Sequence, residues 1–178
     1  MSEYIPQSTE ESWQKAWADA EIFHANFNKG NPVFYCLEMY PYPSGKMHMG
    51  HVRNYSIGDS VARYKRLMGF DVLYPMGFDS FGMPAENAAI AEGGHPHDIT
   101  ERNMASITEQ IKRMGFSYDW RRVLKSHDPQ YYRWNQWFFL KFLESGLAYQ
   151  QYAPVNWCNS CNTVLANEQV KAGRCWRC

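Results

Sequence analysis

The sequence predicts an α/β fold, a parallel sheet with flanking helices, followed by a small cysteine-rich module. Three observations point there. Short apolar runs at 33–39 and 71–75 bracket an amphipathic stretch from Met49 or Gly50 to Met68, the order strand, helix, strand. Gly/Pro-rich loops, 40–50 and 76–84, follow the two runs. Four of the five cysteines stand in two Cys-x-x-Cys pairs beyond Pro154.

Taken in chain order, residues 8–28 read as a helix. Ser8 or Thr9 can cap it, Glu10 and Glu11 suit its positive end, and Trp13, Ala16, Trp17, Ala20 and Phe23 or His24 form one apolar stripe. Lys29-Gly30-Asn31-Pro32 stops it. Val33 to Met39 suffices for one buried strand, and the two prolines and one glycine of Tyr40 to Lys46 forbid regular structure after it. In the next helix Val52, Tyr55, Val61, Ala62 and Leu67 or Met68 form the buried face. Arg53, Arg63, Lys65 and Arg66 form its wet side, and Gly69 closes it. With Asp71 to Pro75 as a second strand this is a βαβ unit, which requires parallel strands and a right-handed crossover. Further helices are expected at 84–92, 98–115 and 129–146, and the composition shifts at Ala153-Pro154.

Composition narrows the class. The 178 residues are 45% hydrophobic, enough for a core, and 18 basic side chains balance 18 acidic ones. Zero net charge argues against gripping nucleic acid along the whole surface and leaves room for local contact with an RNA end. The aromatic content, 16%, reads mainly as core. The greasiest run, Trp137 to Leu140, is cut by Lys141 and Glu144, far short of the roughly 20 residues of a membrane span. Met1 to Glu11 is polar and acidic, unlike a signal peptide. The expectation is a cytoplasmic protein with no membrane partner.

Both Gly/Pro loops fall at carboxyl ends of parallel strands, where α/β proteins bind ligands. The first holds His48-Met49-Gly50-His51. Histidines three apart on a first helical turn project to one side, beside a positive dipole end that suits phosphate. Their imidazoles can donate hydrogen bonds to phosphate oxygens, Gly50 lets a flat ring approach the backbone, and Lys46 and Arg53 add charge. No P-loop is present. A lone His-x-x-His is more often a surface or cap feature; a shared metal lacks a nearby acid.

The context goes further. Met39-Tyr40-Pro41-Tyr42-Pro43-Ser44-Gly45-Lys46-Met47-His48-Met49-Gly50-His51-Val52-Arg53-Asn54-Tyr55 resembles the HIGH signature of class I aminoacyl-tRNA synthetases in its leucyl form, with Met49 for the usual Ile. Gly77-Phe78-Asp79-Ser80-Phe81-Gly82-Met83-Pro84-Ala85-Glu86 is similar to the bacterial leucyl pattern Gly-Trp-Asp-Ala-Phe-Gly-Leu-Pro-Ala-Glu. Tyr118-Asp119-Trp120, Tyr131-Tyr132-Arg133-Trp134, Val155-Asn156-Trp157-Cys158 and 163–170 continue it, so the likeness runs from about residue 4 to 178.

The resemblance implies a partial Rossmann-like (HUP-type) domain over 1–153, the N-terminal half of a nucleotide-binding catalytic domain, and a zinc knuckle module over 154–178. It implies ATP-dependent activation of leucine, with Mg2+ accompanying ATP, and transfer to the acceptor end of tRNA(Leu). His48 and His51 would be catalytic and contact ATP, with Gly50 under the adenine and Asn54 beside them. Met39, Tyr40 and Tyr42 would edge the leucine pocket, and Asp79 would take the ammonium group, as an α-amino cation demands. Asp79 is otherwise a turn or cap residue, and Tyr42 core packing.

Cys158-x-x-Cys161 and Cys175-x-x-Cys178, 13 residues apart (162–174), can close a tetrahedral zinc site. The Lys-Met-Ser-Lys-Ser loop, the editing domain and the anticodon-binding helices of the family are not in this sequence. The expectation is a fragment, a split subunit whose partner chain carries those parts, or a truncated paralogue, with negligible leucyl-tRNA synthesis alone. The alternative is an inactive synthetase-like module that binds an adenylate, RNA or a protein partner.

Overall fold

A computed structural model describes residues 4–27 and 30–178, in two compact units, 1–135 and 136–178. The composition shift at 153–154 falls inside the second. The expected helix end at Asn28, the stop residue Lys29 and the first three residues of the acidic N-terminus lie outside the described residues.

Helix α1 covers Pro6–Asp19. It starts on proline, whose missing N–H costs nothing in a first turn. Ile5 is the N-cap, and Ser8, expected to cap, lies inside the helix and bonds Ile5 O. Glu21 takes a positive φ of 51°, so the helix stops short of 28 and Phe23 folds back edge-on to Trp17. The Arg63 guanidinium lies 5.0 Å from both ring centroids.

Strand β1 (Val33–Tyr35), helix α2 (Met49–Leu67) and strand β2 (Asp71–Leu73) form the expected unit, the strands parallel with Val33 opposite Asp71 and Tyr35 opposite Leu73. Pro75 cannot donate to a ladder, and the chain resumes as β3 (Met76–Phe78) in a new parallel pair with β4 (Val123–Lys125). The start of the expected 76–84 loop is thus a fully buried strand. The strands make two-stranded ladders rather than one continuous sheet.

The expected α2 face is half right. Tyr55 and Ala62 are buried, but Val61 and Leu67 are exposed and Asp59 takes the inner position. Arg63 and Arg66 are not a wet side. Arg66 donates to Ser117 Oγ at 2.7 Å and Ser117 O at 3.0 Å, and Arg63 to Asp59 and Gly115 O, each at 2.7 Å. The 115–117 loop thereby turns a predicted solvent face into a polar seam.

Helices α3 (Met83–Glu92) and α4 (Pro96–Arg113) follow, and α4 buries Ile99, Met104, Ile107 and Ile111. Met104, Ile107 and Ile111 join Tyr55, Val72, Tyr74, Met76, Phe78 and Tyr118 in the core of the first unit. Asp119, fully buried, pairs with Arg121 and Arg122 and accepts from Ala25 N–H, anchoring the segment after α1. Burial alone would raise its carboxyl, yet Arg121 and the backbone donors hold it below the ordinary range.

Helix α5 (Pro129–Glu144) crosses from one unit into the other and has no buried residue. The second unit continues as two antiparallel hairpins, β5 (Asn156–Cys158) with β6 (Thr163–Leu165) and β7 (Val170–Lys171) with β8 (Arg174–Cys175). Asn162, Ala172 and Gly173 supply the positive φ their turns require. Among the described residues no helix is long and apolar enough to cross a membrane.

Candidate active site and cysteine centre

His48 is the N-cap of α2, and the two histidines cap each other. His48 Nδ1 accepts from Gly50 N–H at 3.1 Å, and His51 Nδ1 accepts from His48 N–H at 3.2 Å. Their rings stack at 4.0 Å, and His51 stacks on Tyr55 at 5.9 Å. A neutral imidazole that accepts at Nδ1 carries its proton at Nε2. Both rings therefore present an Nε2–H donor without needing a positive charge. Burial, and then the neighbouring His48, push the His51 pKa down, which favours that neutral form.

The sequence assigned free backbone donors to this helix start. The structure narrows that: Gly50 N–H goes to the His48 ring, and the N–H groups of His51 and Val52 to His48 O. Met49 N–H and the ring Nε2–H groups are what remains to meet an anion. Gly50 is glycine for a local reason as well, since a Cβ there would lie 2.9 Å from the His48 ring.

Tyr55 carries the connection inward, its buried hydroxyl donating to Met39 O at 3.3 Å. The Tyr40 ring lies flat on Gly77, where a Cβ would come within 2.5 Å of it. Burial pushes its hydroxyl up to about 12. Asp79 N–H donates to Pro41 O at 3.1 Å, and Asn103 holds Pro43 O at 2.9 Å. The structure thus links Met39, Tyr40, Gly77 and Asp79 into one strand-end cluster tied through Tyr55 to the histidine pair. Met39 and Tyr42 present exposed side chains, and Asn54 is exposed one turn beyond His51. Among the described residues none of the three makes a side-chain hydrogen bond to the cluster. His48 also edges an open groove of about 940 Å3 with Lys46, Met49, Glu109 and Arg113.

Below the cluster lies Glu38, which sequence reasoning missed. Its Oε2 accepts from Tyr74 and Tyr118 hydroxyls at 2.6 and 2.5 Å, and its carboxyl rests on Gly58, where no side chain fits. Burial raises its pKa despite both tyrosine donors. A lone acid just ahead of the Met39–Tyr42 loop was the available signal.

In the second unit the four cysteines converge. Cys158 and Cys178 sulfurs lie 3.4 Å apart, Cys161 and Cys175 4.0 Å, and all four lie within 4.8 Å of one another. Tetrahedral zinc with Zn–S of about 2.3 Å requires S···S separations of about 3.8 Å, so this set fits the ion. Backbone N–H groups of Cys178 and Arg177 lower the Cys175 pKa to about 7, which favours a thiolate, while desolvation and the other sulfurs push Cys161 up to about 12.

The family model for tRNA synthetases class I (I, L, M and V) matches residues 12–173. The leucine–tRNA ligase of Oleidesulfovibrio alaskensis is 59% identical over 175 residues, 98% of this chain and 21% of that protein. The leucine–tRNA ligase subunit alpha of Aquifex aeolicus is 56% identical over 178 residues, all of this chain and 28% of the relative. Among solved structures, the Agrobacterium radiobacter LeuRS in ternary complex with tRNA and LeuAMS has a TM-score of 0.91 at 42% identity, covering 98% of this chain and 22% of that one. The Mycobacterium tuberculosis methionyl-tRNA synthetase complex with methionyl-adenylate shares the fold, with a TM-score of 0.67 at 22% identity over 80% of this chain and 28% of that one. The chain spans between a fifth and a third of the length of these relatives. With its histidine turn, strand-end cluster and cysteine pairs on one sequence, the chain belongs to the class I tRNA synthetases of the I, L, M and V group, and the relatives named above at 42–59% identity are leucyl enzymes.

Proposed function

We propose that this chain carries the histidine half of a leucine-activating site, in which leucine and Mg2+-bound ATP form leucyl-adenylate and the leucyl group passes to tRNA(Leu). The observation that carries the reading is the paired capping by His48 and His51, which engages both Nδ1 atoms as acceptors and leaves both Nε2–H groups as donors. Asp79 receives the leucine ammonium group, Met39, Tyr40 and Tyr42 border its side chain, and Gly50 and Asn54 lie at the adenine side. The leucine carboxylate then attacks the α-phosphorus of ATP and pyrophosphate leaves. Charge accumulates on the phosphate oxygens in that step, and neutral, prealigned N–H donors stabilise it without reorganisation. No covalent nucleophile on the protein is needed. A ribose hydroxyl of the tRNA end next attacks the acyl carbon and releases AMP. In the second unit Cys158, Cys161, Cys175 and Cys178 hold one structural Zn2+, supported by their sulfur spacing.

The test is leucine-dependent exchange of pyrophosphate into ATP by the wild type and by His48→Asn and His51→Asn. Asparagine keeps a capping acceptor and removes the Nε2–H group. Exchange is expected to fall about 100-fold or more with little change in Tm, the loss typical of a missing transition-state donor. Unchanged exchange in both variants would show that the histidines are caps only.

A further inference from the structure

Behind Asp79, four side chains form one hydrogen-bonded relay. Ser80 Oγ lies 2.7 Å from His127 Nδ1, and His127 Nε2 lies 3.1 Å from Glu101 Oε1. Lys125 Nζ donates to both Glu101 oxygens at 2.8 Å. Ser80 follows β3, Glu101 stands on α4, Lys125 ends β4, and His127 is two residues beyond it. Nε2 faces a carboxylate and so carries a ring proton, while Nδ1 and the Ser80 hydroxyl share the 2.7 Å hydrogen bond. Glu101 is held ready as that acceptor. Burial opposes its ionisation, but Lys125 and His127 keep its carboxyl below the ordinary range.

The order serine, imidazole, carboxylate is that of a hydrolytic triad. Ser80 is 3% exposed, however, and no substrate reaches its oxygen. His97, Glu101 and His127 could also suggest a metal site. There Lys125 already covers both Glu101 oxygens, so an incoming cation would meet an ammonium group.

The relay reaches the peptide that carries Asp79 through Ser80, whose Oγ also lies 3.3 Å from Phe78 O, and neighbouring groups tie the same stretch. Ser126 N–H donates to Phe78 O at 3.1 Å, Ser80 N–H to Ser126 Oγ at 2.8 Å, and Asp79 N–H to Pro41 O at 3.1 Å. The backbone is tied before, at and after Asp79. Among the described residues, by contrast, no side chain or backbone group donates to the Asp79 carboxylate. An unpaired carboxylate on a clamped backbone is preorganised for a cation from outside.

We infer that Ser80 and His127, backed by Glu101 and Lys125, are positioning residues that aim Asp79 at the amino group of the amino-acid substrate. This rests on the reading of Asp79 given above. The relay touches no substrate atom and acts only through the Asp79 peptide, so its loss should weaken recognition of the ammonium group and leave ATP binding alone.

Two probes isolate that contribution: a leucyl-adenylate analogue with a non-hydrolysable acyl sulfamate linkage, and the same compound without its α-amino group. Calorimetry on the wild-type chain should show a preference for the amino probe of about tenfold or more, the scale of one charge-assisted hydrogen bond. Asp79→Asn should abolish the preference. His127→Leu and Ser80→Ala should each reduce it about threefold or more with ATP affinity unchanged, a modest share of that bond. His127→Asn, which can still hydrogen-bond Ser80, should restore most of it. Where His127→Leu does not fold, Ser80→Ala decides, since it removes a single oxygen. Loss of the preference in Asp79→Asn but full retention in Ser80→Ala and His127→Leu overturns the relay and leaves the Asp79 reading intact. Retention in Asp79→Asn, or no preference in the wild type, overturns the Asp79 reading and the relay with it.

Discussion

Glu38 is a half-buried carboxyl held by two buried tyrosines. One oxygen takes two tyrosine hydroxyls and the other has no partner among the described residues. Glu38→Ala would leave Tyr74 and Tyr118, 0% and 2% exposed, without their acceptor, at an expected cost of about 2–4 kcal/mol in denaturant melts. Glu38→Gln keeps an acceptor and cannot ionise. The folded carboxyl binds its proton more tightly than the unfolded one, so its favourable contribution is present below the unfolded value of 4.5 and is lost as pH rises through the raised folded value. The stability of Glu38→Gln relative to wild type should therefore grow as pH is raised from 4.5; a flat difference would refute the buried carboxylate. His51 has the opposite sign. Its lowered folded pKa makes the neutral ring stabilising above the unfolded 6.5, and that contribution is lost as pH falls towards the folded value. Imidazole NMR should find His51 titrating below 6.5, and His51→Asn should be less destabilised by acid than wild type in that window.

The loop 40–43 and strand β3 hold each other in place, since the Tyr40 ring occupies the space a side chain at Gly77 would fill. Gly77→Ala should cost about 1–3 kcal/mol by overpacking and should displace Tyr40, read as a lowered Tm together with weaker leucine-analogue binding. An unchanged Tm would mean that the contact is slack. This strand also marks where the sequence stopped being readable. Helix α2 was visible almost to the residue because the Pro/Gly-rich loop before it and the closing Gly69 bracket its 19 residues. Met76-Gly77-Phe78 has no such signal: it is three residues long, follows a proline, and contains a glycine whose purpose lies far upstream in Tyr40. The same distinction runs through the site. The His48–His51 pair and the cysteine pairs stood out because their spacing is local, whereas Asp79 was singled out by the resemblance of its 77–86 stretch. Glu38, Asn103, Ser80 and His127 act through partners 36 to 80 residues away, and no pattern within the sequence announces those contacts. Arg63 and Arg66 were misread for the same reason, as their acceptors at 115–117 come from a loop some 50 residues away.

At the scale of the molecule the two units differ in what can hold them together. Residues 1–135 contain the whole core cluster. Residues 136–178, 43 in number, bury among their hydrophobic side chains only Cys158 and Leu165. Apolar burial on that scale does not sustain a unit of about 40 residues, and a metal is the usual remedy. Four sulfurs gathered around two hairpins, all within 4.8 Å of one another, form the site proposed for it. Purified protein should therefore carry about one zinc per chain by elemental analysis. Chelation, or Cys158→Ser with Cys175→Ser, should open the hairpins to protease between 154 and 178 while the melting of the first unit persists. If the metal-free chain keeps those hairpins protected, the cysteines are packing residues and the zinc assignment fails. If chelation melts both units together, the first unit depends on the second, and the separate core at 1–135 is not sufficient to hold it.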